Sequence, residues 1–223
     1  MMPLSRRQIA WRAAQDIPDG ACVNLGIGLP TLVSDFIPAD REILFHSENG
    51  ILGMGRAPAP GEEDRDLINA GKGLTTLVPG GSFFHHNDAF LMVRGGHLDL
   101  ALMGAFEVSE EGDLANWTTD DQKAPPGVGG AMDLAVGARE VRILVEHTTR
   151  DGKPRIRRRC RYPLTAARCV KRIYTNLAVL DITAGGVLVR EMVAGLDLAN
   201  LQEATEPPLT LAEDWRRLIV PAV

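Results

Sequence analysis

Short apolar runs recur along this chain, spaced so that a helix fits between them, and each run stops on a glycine or a polar residue. Cys22-Val23-Asn24-Leu25 stops at Gly26, and Ile43-Leu44-Phe45 stops at His46-Ser47-Glu48. Leu98-Asp99-Leu100-Ala101-Leu102-Met103 stops at Gly104, and Val141 to Glu146 stops at His147-Thr148-Thr149. Runs this short, bounded by turn formers, read as strands buried on both faces. Strands alternating with helices predict an α/β fold: a three-layer, mostly parallel sheet with helices on both faces. In such sheets ligands bind beyond the carboxyl ends of the strands, and that is where the polar residues collect here.

The intervening segments carry helix and turn signals. Ser5-Arg6-Arg7-Gln8 forms a capping box for a helix to about Gln15, with Ile9, Ala10, Ala13 and Ala14 on one face. Pro30 opens a helix through Leu32, Val33 and Phe36. Asp88 caps a helix to about Arg94, and Gly95-Gly96 closes it. A glycine loop, Gly127-Val128-Gly129-Gly130, enters a short helix, and another helix runs from Asp197 to Glu203. Leu67-Ile68-Asn69 is expected to pair with Thr75 to Val78, and Pro79-Gly80-Gly81-Ser82 to form a turn. Hairpins are expected around Glu111-Gly112 and between Leu177–Asp181 and Val187–Met192. Residues 1–206 make one domain. Residues 207–223, opened by Pro207-Pro208, read as a C-terminal tail docked through Trp215 and Ile219.

A chain of 223 residues with 45% hydrophobic and 24% charged residues is an ordinary soluble composition. The formal charge of −5 argues against nucleic acid as a partner. No apolar run reaches the ~18 residues of a membrane span, and the first residues lack the apolar centre of a signal peptide. The three cysteines, Cys22, Cys160 and Cys169, show no metal spacing, so reduced thiols and a cytoplasmic location are expected. His85-His86 lacks a partner cluster for a metal and reads as part of a polar loop walling the site. The basic run Lys153 to Arg161 reads as a solvated or subunit-facing strand edge, or as help in holding a polyanionic cofactor.

Chemistry concentrates at Phe45-His46-Ser47-Glu48-Asn49-Gly50-Ile51-Leu52-Gly53. A buried strand ends there on a carboxylate, and Asn49-Gly50 turns the chain at once. Glycines at 50, 53 and 55 imply a backbone that something approaches closely. The bland reading is a surface carboxylate opening a loop. Gly26-Ile27-Gly28 invites a dinucleotide reading, but the third glycine of that fingerprint would fall on Thr31. Its N–H groups either hold an anion such as a substrate carboxylate or form a plain tight turn.

This nonapeptide resembles the active-site signature of the family I CoA-transferases, in the B (beta) subunit of the 3-oxoacid enzymes. The likeness extends from Val23-Asn24-Leu25-Gly26-Ile27-Gly28-Leu29-Pro30 to about Asp197. It implies the fold shared by CoA-transferases and ribose-phosphate isomerases, with Glu48 as a nucleophile. Gly129, Gly130 and Ala131 match the family's glycine loop, which with Asn49, Gly26 and Gly28 would line the substrate. Coenzyme A would be a substrate, with no resident cofactor and no metal. The partners implied are an A (alpha) subunit in a hetero-oligomer, an acyl-CoA and a 3-oxo acid. The nearest subfamilies are the 3-oxoadipate and succinyl-CoA:3-ketoacid transferases, with 3-oxoadipate favoured as acceptor and an acetate/acetoacetate-type enzyme as the alternative. A dicarboxylate acceptor needs an extra cation, for which Arg56, Lys72 and Arg94 are open choices. Between Asn116-Trp117 and the glycine loop the family commonly has basic residues. Here Thr118 to Pro126 is acidic and proline-rich.

A carboxylate can attack a thioester and form a mixed anhydride, provided an oxyanion hole stabilises the tetrahedral intermediate. A rival reading is a non-catalytic small-molecule-binding module on the same fold, with Glu48 accepting a ligand hydroxyl. The rival does not need both the Ser-Glu-Asn-Gly signature and the distant glycine loop.

Overall fold

The computed structural model describes residues 2–119 and 127–223. Its backbone is a ten-stranded sheet with helices and turns on both sides. In chain order the elements are α1 (Arg6–Ala14), β1 (Cys22–Leu25), a 3-10 segment (Leu29–Phe36), β2 (Leu44–Ser47), β3 (Ile51–Met54) and β4 (Leu77–Phe83). They continue with α2 (His86–Arg94), β5 (Leu100–Met103), β6 (Glu107–Ser109), β7 (Leu114–Ala115), α3 (Ala131–Gly137) and β8 (Glu140–Leu144). The last are β9 (Ile156–Arg157), β10 (Val170–Tyr174), β11 (Ala178–Thr183), β12 (Gly186–Val193), α4 (Leu198–Glu203) and β13 (Leu209–Leu218).

The large sheet has the order β13-β12-β11-β10-β8-β5-β1-β2-β3-β4. Its centre, β2, β1, β5, β8 and β10, is parallel. Antiparallel strands extend both flanks, β3 and β4 on one side and the β11–β12 hairpin on the other. Side-chain alternation divides the core in two. On β5, Leu100 and Leu102 join Val23, Leu25, Ile9, Ala13 and Val33 under α1 and the 3-10 segment. Ala101 and Met103 face the other way and join Val93, Leu134 and Leu201 under α2, α3 and α4. Two apolar layers on opposite faces of one sheet are what near-continuous apolar strands require.

The capping box on α1 is present in full: Gln8 N–H donates to Ser5 Oγ at 3.2 Å and Ser5 N–H to Gln8 Oε1 at 2.9 Å. A buried pair, Arg12 to Glu191 at 2.7 and 2.9 Å, ties α1 to β12.

Five local expectations change. The helix before Arg94 starts earlier, capped by His85, whose Nδ1 accepts from Asn87 N–H at 3.2 Å; Asp88 lies in the first turn, its N–H held by His85 C=O. The segment opened by Pro30 is 3-10, not α. Pro79 to Ser82 is not a turn but part of β4, an edge strand whose outer side needs no donor, so the proline is tolerated there. Leu67–Asn69 and Thr75 make only a single bridge, Ile68 with Leu74. The stretch after Pro208 is also more than a tail. Leu209–Leu218 adds to the sheet parallel to β12 and buries Ala212 and Leu218, while Trp215 and Ile219 stay exposed.

Candidate active site

The sheet reverses its winding at β1, which lies between β2 and β5, so the crevice opens beyond the carboxyl end of β1. Three chain segments leave the sheet around that crevice. Gly26 follows β1, Glu48 follows β2 and Gly104 follows β5. Gly26 lies against β5: its N–H donates to Leu102 C=O at 2.8 Å, and a Cβ there would come within 3.0 Å of that oxygen. Packing therefore already explains this glycine.

Glu48 stands half-buried on the turn after β2. Gly50 N–H closes that turn on Ser47 C=O at 2.9 Å. Gly50 has a φ of 108°, and a Cβ would run into Phe84 C=O, so only glycine fits. Ser47 Oγ accepts from Ala70 N–H at 3.0 Å and Asn49 Nδ2 donates to Ile68 C=O at 2.7 Å, so the loop 68–70 clamps the turn from outside. Asn49 thus braces backbone, although it also lines one of the cavities described below.

Sequence reasoning missed the partner that holds the carboxylate. Asn24, fully buried on β1, donates from Nδ2 to Glu48 Oε2 at 2.9 Å. The same Nδ2 lies 3.3 Å from His46 C=O and 3.2 Å from His46 Nδ1. All three neighbours can accept, which fixes the amide with its NH2 toward Glu48. Asn24 pairs with His46 across β1 and β2. A polar residue inside an apolar run, level with another, was the signal available. Burial depresses the pKa of His46, with Glu48 opposing the shift.

Two cavities meet at Glu48. One, of about 370 Å³, is lined by Gly26, Ile27, Met103, Phe106, Asn116 and the loop 127–131. The other, of about 660 Å³, runs past Asn49, Ala70, His86, Phe90 and Arg94. Ile27, Glu48, Gly129 and Gly130 border both. The fold therefore brings Gly26, Glu48, Gly129, Gly130 and Ala131 together across the sheet and places Asn49 beside them. Gly28, at a φ of 93°, heads the 3-10 segment and lines neither cavity. Met103, Phe106 and Asn116 were not foreseen.

The glycine loop differs between its members. Ala131 N–H is taken by Val128 C=O at 3.1 Å. Among the described residues, no such bond engages the N–H of Gly129 or Gly130. Gly129 has a φ of 52°; Gly130 has an ordinary φ of −86°, and its constraint is the Phe90 ring, 2.5 Å from where a Cβ would go.

Of the three cations considered, Arg94 lines the larger cavity but pairs with Asp133 at 2.7 Å. Arg56 lines a different groove, and Lys72 lines neither cavity at Glu48. His85 caps α2 and His86 packs edge-on against Phe90. Among the described residues no cluster of ligating side chains could hold a metal, and no helix is long and apolar enough to cross a membrane. The segment 120–126, which includes most of the acidic, proline-rich departure noted above, lies outside the described residues.

The family model for coenzyme A transferase matches residues 6–195. The B subunit of the 3-oxoadipate CoA-transferase of Pseudomonas putida is 56% identical over 206 residues, covering 92% of this chain and 96% of that protein. The B subunit of a probable succinyl-CoA:3-ketoacid coenzyme A transferase of Bacillus subtilis is 44% identical over 212 residues, covering 95% and 98%. The acyl-CoA transferase YdiF of Escherichia coli O157:H7 shares the fold at a TM-score of 0.73 and 17% identity. The match covers 97% of this chain, which spans about two fifths of the YdiF chain (43%). With the signature carboxylate, its cavity and these likenesses together, the chain belongs to the coenzyme A transferase family.

Proposed function

We propose that this chain is the B subunit of a 3-oxoacid CoA-transferase that moves CoA from succinyl-CoA to a 3-oxo acid through a covalent glutamyl-CoA intermediate. The observation that carries the reading is the Glu48 carboxylate, held through one oxygen by buried Asn24 at 2.9 Å where two cavities meet. Oε2 is anchored and Oε1 is left to attack. Holding a nucleophile in a near-attack geometry removes much of the entropic cost of the reaction.

In the first step Oε1 of Glu48 adds to the thioester carbon of the acyl-CoA. The carbonyl oxygen becomes an oxyanion, for which the N–H groups of Gly129 and Gly130, on the wall both cavities share, are the donors this reading assigns. Collapse expels the CoA thiolate and leaves an acyl-glutamyl anhydride. The thiolate then attacks the glutamyl carbon, releasing the first carboxylate and forming the Glu48 thioester. A second carboxylate runs the sequence in reverse and leaves with CoA. Each step exchanges one carboxylate or thiolate for another, so no general acid is required. An A-type partner would supply further donors over the open side of the cavity.

The 56% likeness to a protein named for 3-oxoadipate favours that acceptor. Arg94, on the larger cavity, is the cation available to its second carboxylate, if that carboxylate displaces Asp133. The three free, half-buried thiols agree with a reducing, cytoplasmic setting; burial pushes Cys22 up to about 11 and Cys160 to about 12.

The test is to trap the thioester. The chain, assembled with an A-type partner, is incubated with succinyl-CoA, reduced with borohydride and digested. Reduction at Glu48 is expected; an unmodified Glu48 in a preparation that is turning over would end the covalent reading. A panel of 3-oxo acids then ranks the acceptors, with 3-oxoadipate expected first.

A further inference from the structure

His46 stands on β2, two residues before Glu48, and the reaction above gives it no part. It is 1% exposed, with the Phe84 ring stacked on it at 6.2 Å and Leu52 of β3 in register beside it. It lines neither cavity at Glu48. Burying an imidazole in such a place is costly unless its nitrogens are used, and an aliphatic side chain would fill the space without that cost.

The two nitrogens differ. Nε2 has no hydrogen-bond partner among the described residues, whereas Nδ1 lies 3.2 Å from Nδ2 of Asn24. The Asn24 NH2 group carries two protons. One goes to Glu48 Oε2 at 2.9 Å. The acceptors within reach of the other both belong to His46, Nδ1 at 3.2 Å and C=O at 3.3 Å. Asn24 Oδ1 has no partner among the described residues, so the amide is oriented through its nitrogen alone, by Glu48 on one proton and His46 on the other. A donor meets Nδ1 only if that nitrogen carries no proton, which puts the proton of a neutral ring on Nε2. Burial works against a second ring proton; Glu48 and the Ala89 backbone act the other way.

We propose that His46 is a positioning residue for Glu48: its Nδ1, without a proton, accepts from the Asn24 amide and keeps that amide turned toward the carboxylate. This rests on the reading of Glu48 as the nucleophile. In that reaction Glu48 loses its charge whenever it carries an acyl group or CoA, and its bond to Asn24 drops from charge-assisted to neutral. An acceptor that stays the same through the cycle holds the amide in place for the carboxylate that re-forms. His46 works through Asn24 and lies outside both cavities, so its effect falls on kcat and not on capture of the substrate.

The chain is assembled with an A-type partner as wild type, His46→Leu, His46→Asn, Asn24→Ala and the double variant Asn24→Ala/His46→Leu, and kcat is taken per titrated active site. Leucine fills the space without an acceptor. Its kcat should fall roughly three- to tenfold, the size of one lost neutral hydrogen bond, with KM for succinyl-CoA within about twofold. Asparagine sets Oδ1 where Nδ1 stood and should recover most of that loss. His46→Leu added to Asn24→Ala should cost nothing further, because a side chain acting through Asn24 then has nothing to act on. Unchanged kcat in His46→Leu, an asparagine variant as slow as the leucine one, or losses that multiply in the double variant would make His46 a space-filling residue and overturn the proposal. The ring itself is read by nitrogen NMR of the assembled enzyme carrying isotope-labelled histidine, the His46 signals being those absent from His46→Asn. At neutral pH the proton is expected on Nε2; a proton on Nδ1 overturns the proposal. That spectrum needs no turnover. If the wild type transfers no CoA, the functional reading fails separately, and the tautomer still decides whether His46 accepts from Asn24.

Discussion

In the proposed reaction a single side chain, Glu48, would carry the chemistry, and its neighbours would set how well it can act. Shortening it by one methylene, Glu48→Asp, draws the carboxylate back from a near-attack distance of ~3–3.5 Å, and Glu48→Ala removes it. Both should abolish transfer in steady-state assays of the assembled enzyme; substantial turnover by Glu48→Ala would remove Glu48 from the mechanism. Asn24→Ala tests the anchor. A hydrogen bond to a charged group is worth about 1.5–3 kcal/mol, so kcat should fall roughly 10- to 100-fold while acyl-CoA still binds. A change confined to KM would assign Asn24 to substrate binding instead. At this scale the sequence exposed the candidate nucleophile and hid the side chain that bonds it. Ser-Glu-Asn-Gly is contiguous and ends a strand, so it can be read along the chain. Asn24 reaches Glu48 only because β1 and β2 pair in the register that sets Asn24 against His46, and register is a property of the folded sheet.

The glycine loop and the β8 end show what elements add. The sequence marks Gly130 only as part of a glycine loop, and what excludes a side chain there is not a positive φ. It is the ring of Phe90 on α2, 2.5 Å from the missing Cβ, and α2 lies some forty residues earlier in the chain. Gly130→Val should push that ring, tilt the adjoining N–H groups and lower kcat by ~10²-fold, the size of losing one oxyanion donor. Thermal melting and active-site titration on one preparation would separate this from simple unfolding; a large drop in Tm with unchanged turnover per titrated site would make the loop purely structural. At the end of β8, His147 is fully buried between Thr175 Oγ1 at 3.0 Å and Thr205 Oγ1 at 2.8 Å, joining the β10–β11 turn to the end of α4. Both hydroxyls are also held by backbone carbonyls, Thr205 Oγ1 on Leu201 C=O at 2.8 Å and Thr175 Oγ1 on Ala178 C=O at 3.0 Å. Burial lowers its pKa to about 4 from the usual 6.5. Between those values the unfolded chain takes up a proton that the folded chain refuses, so stability falls as pH drops through this window. At 1.36 kcal/mol per pH unit the loss is about 3 kcal/mol by pH 4. Urea midpoints at pH 7 and pH 4.5 should differ markedly for the wild type and much less for His147→Gln. Equal slopes would place the pH dependence elsewhere, His46 being the next buried imidazole.

For the whole molecule, the alternation of apolar runs was enough to read the parallel centre of the sheet, because each run is short, apolar and stopped by a turn former. The flanks were harder. β4 contains Pro79, Gly80 and Gly81, and β13 reads Leu-Thr-Leu-Ala-Glu-Asp-Trp-Arg-Arg-Leu, so neither has the composition of a buried strand. Both are edge strands with one side on solvent, where sheet pairing overrides local preference. The same scale decides whether the chain can work alone. Its fold is closed by two cores and a ten-stranded sheet, so the purified chain should melt as a cooperative unit. Its site is not closed in the same way. The cavity at Glu48 has the glycine loop on one wall, and in the proposed reaction the N–H groups of Gly129 and Gly130, which no backbone bond engages among the described residues, would meet the oxyanion from that wall. A tetrahedral intermediate open to water on its other side loses the low-dielectric setting that makes such donors effective. The relative of 56% identity is named as one subunit of an enzyme. Purified alone, the chain should show a single cooperative melt and no CoA transfer; adding an A-type partner should bring activity that saturates near one partner per chain. Full activity from the single chain, with no partner present by mass spectrometry, would show that the site is complete as it stands.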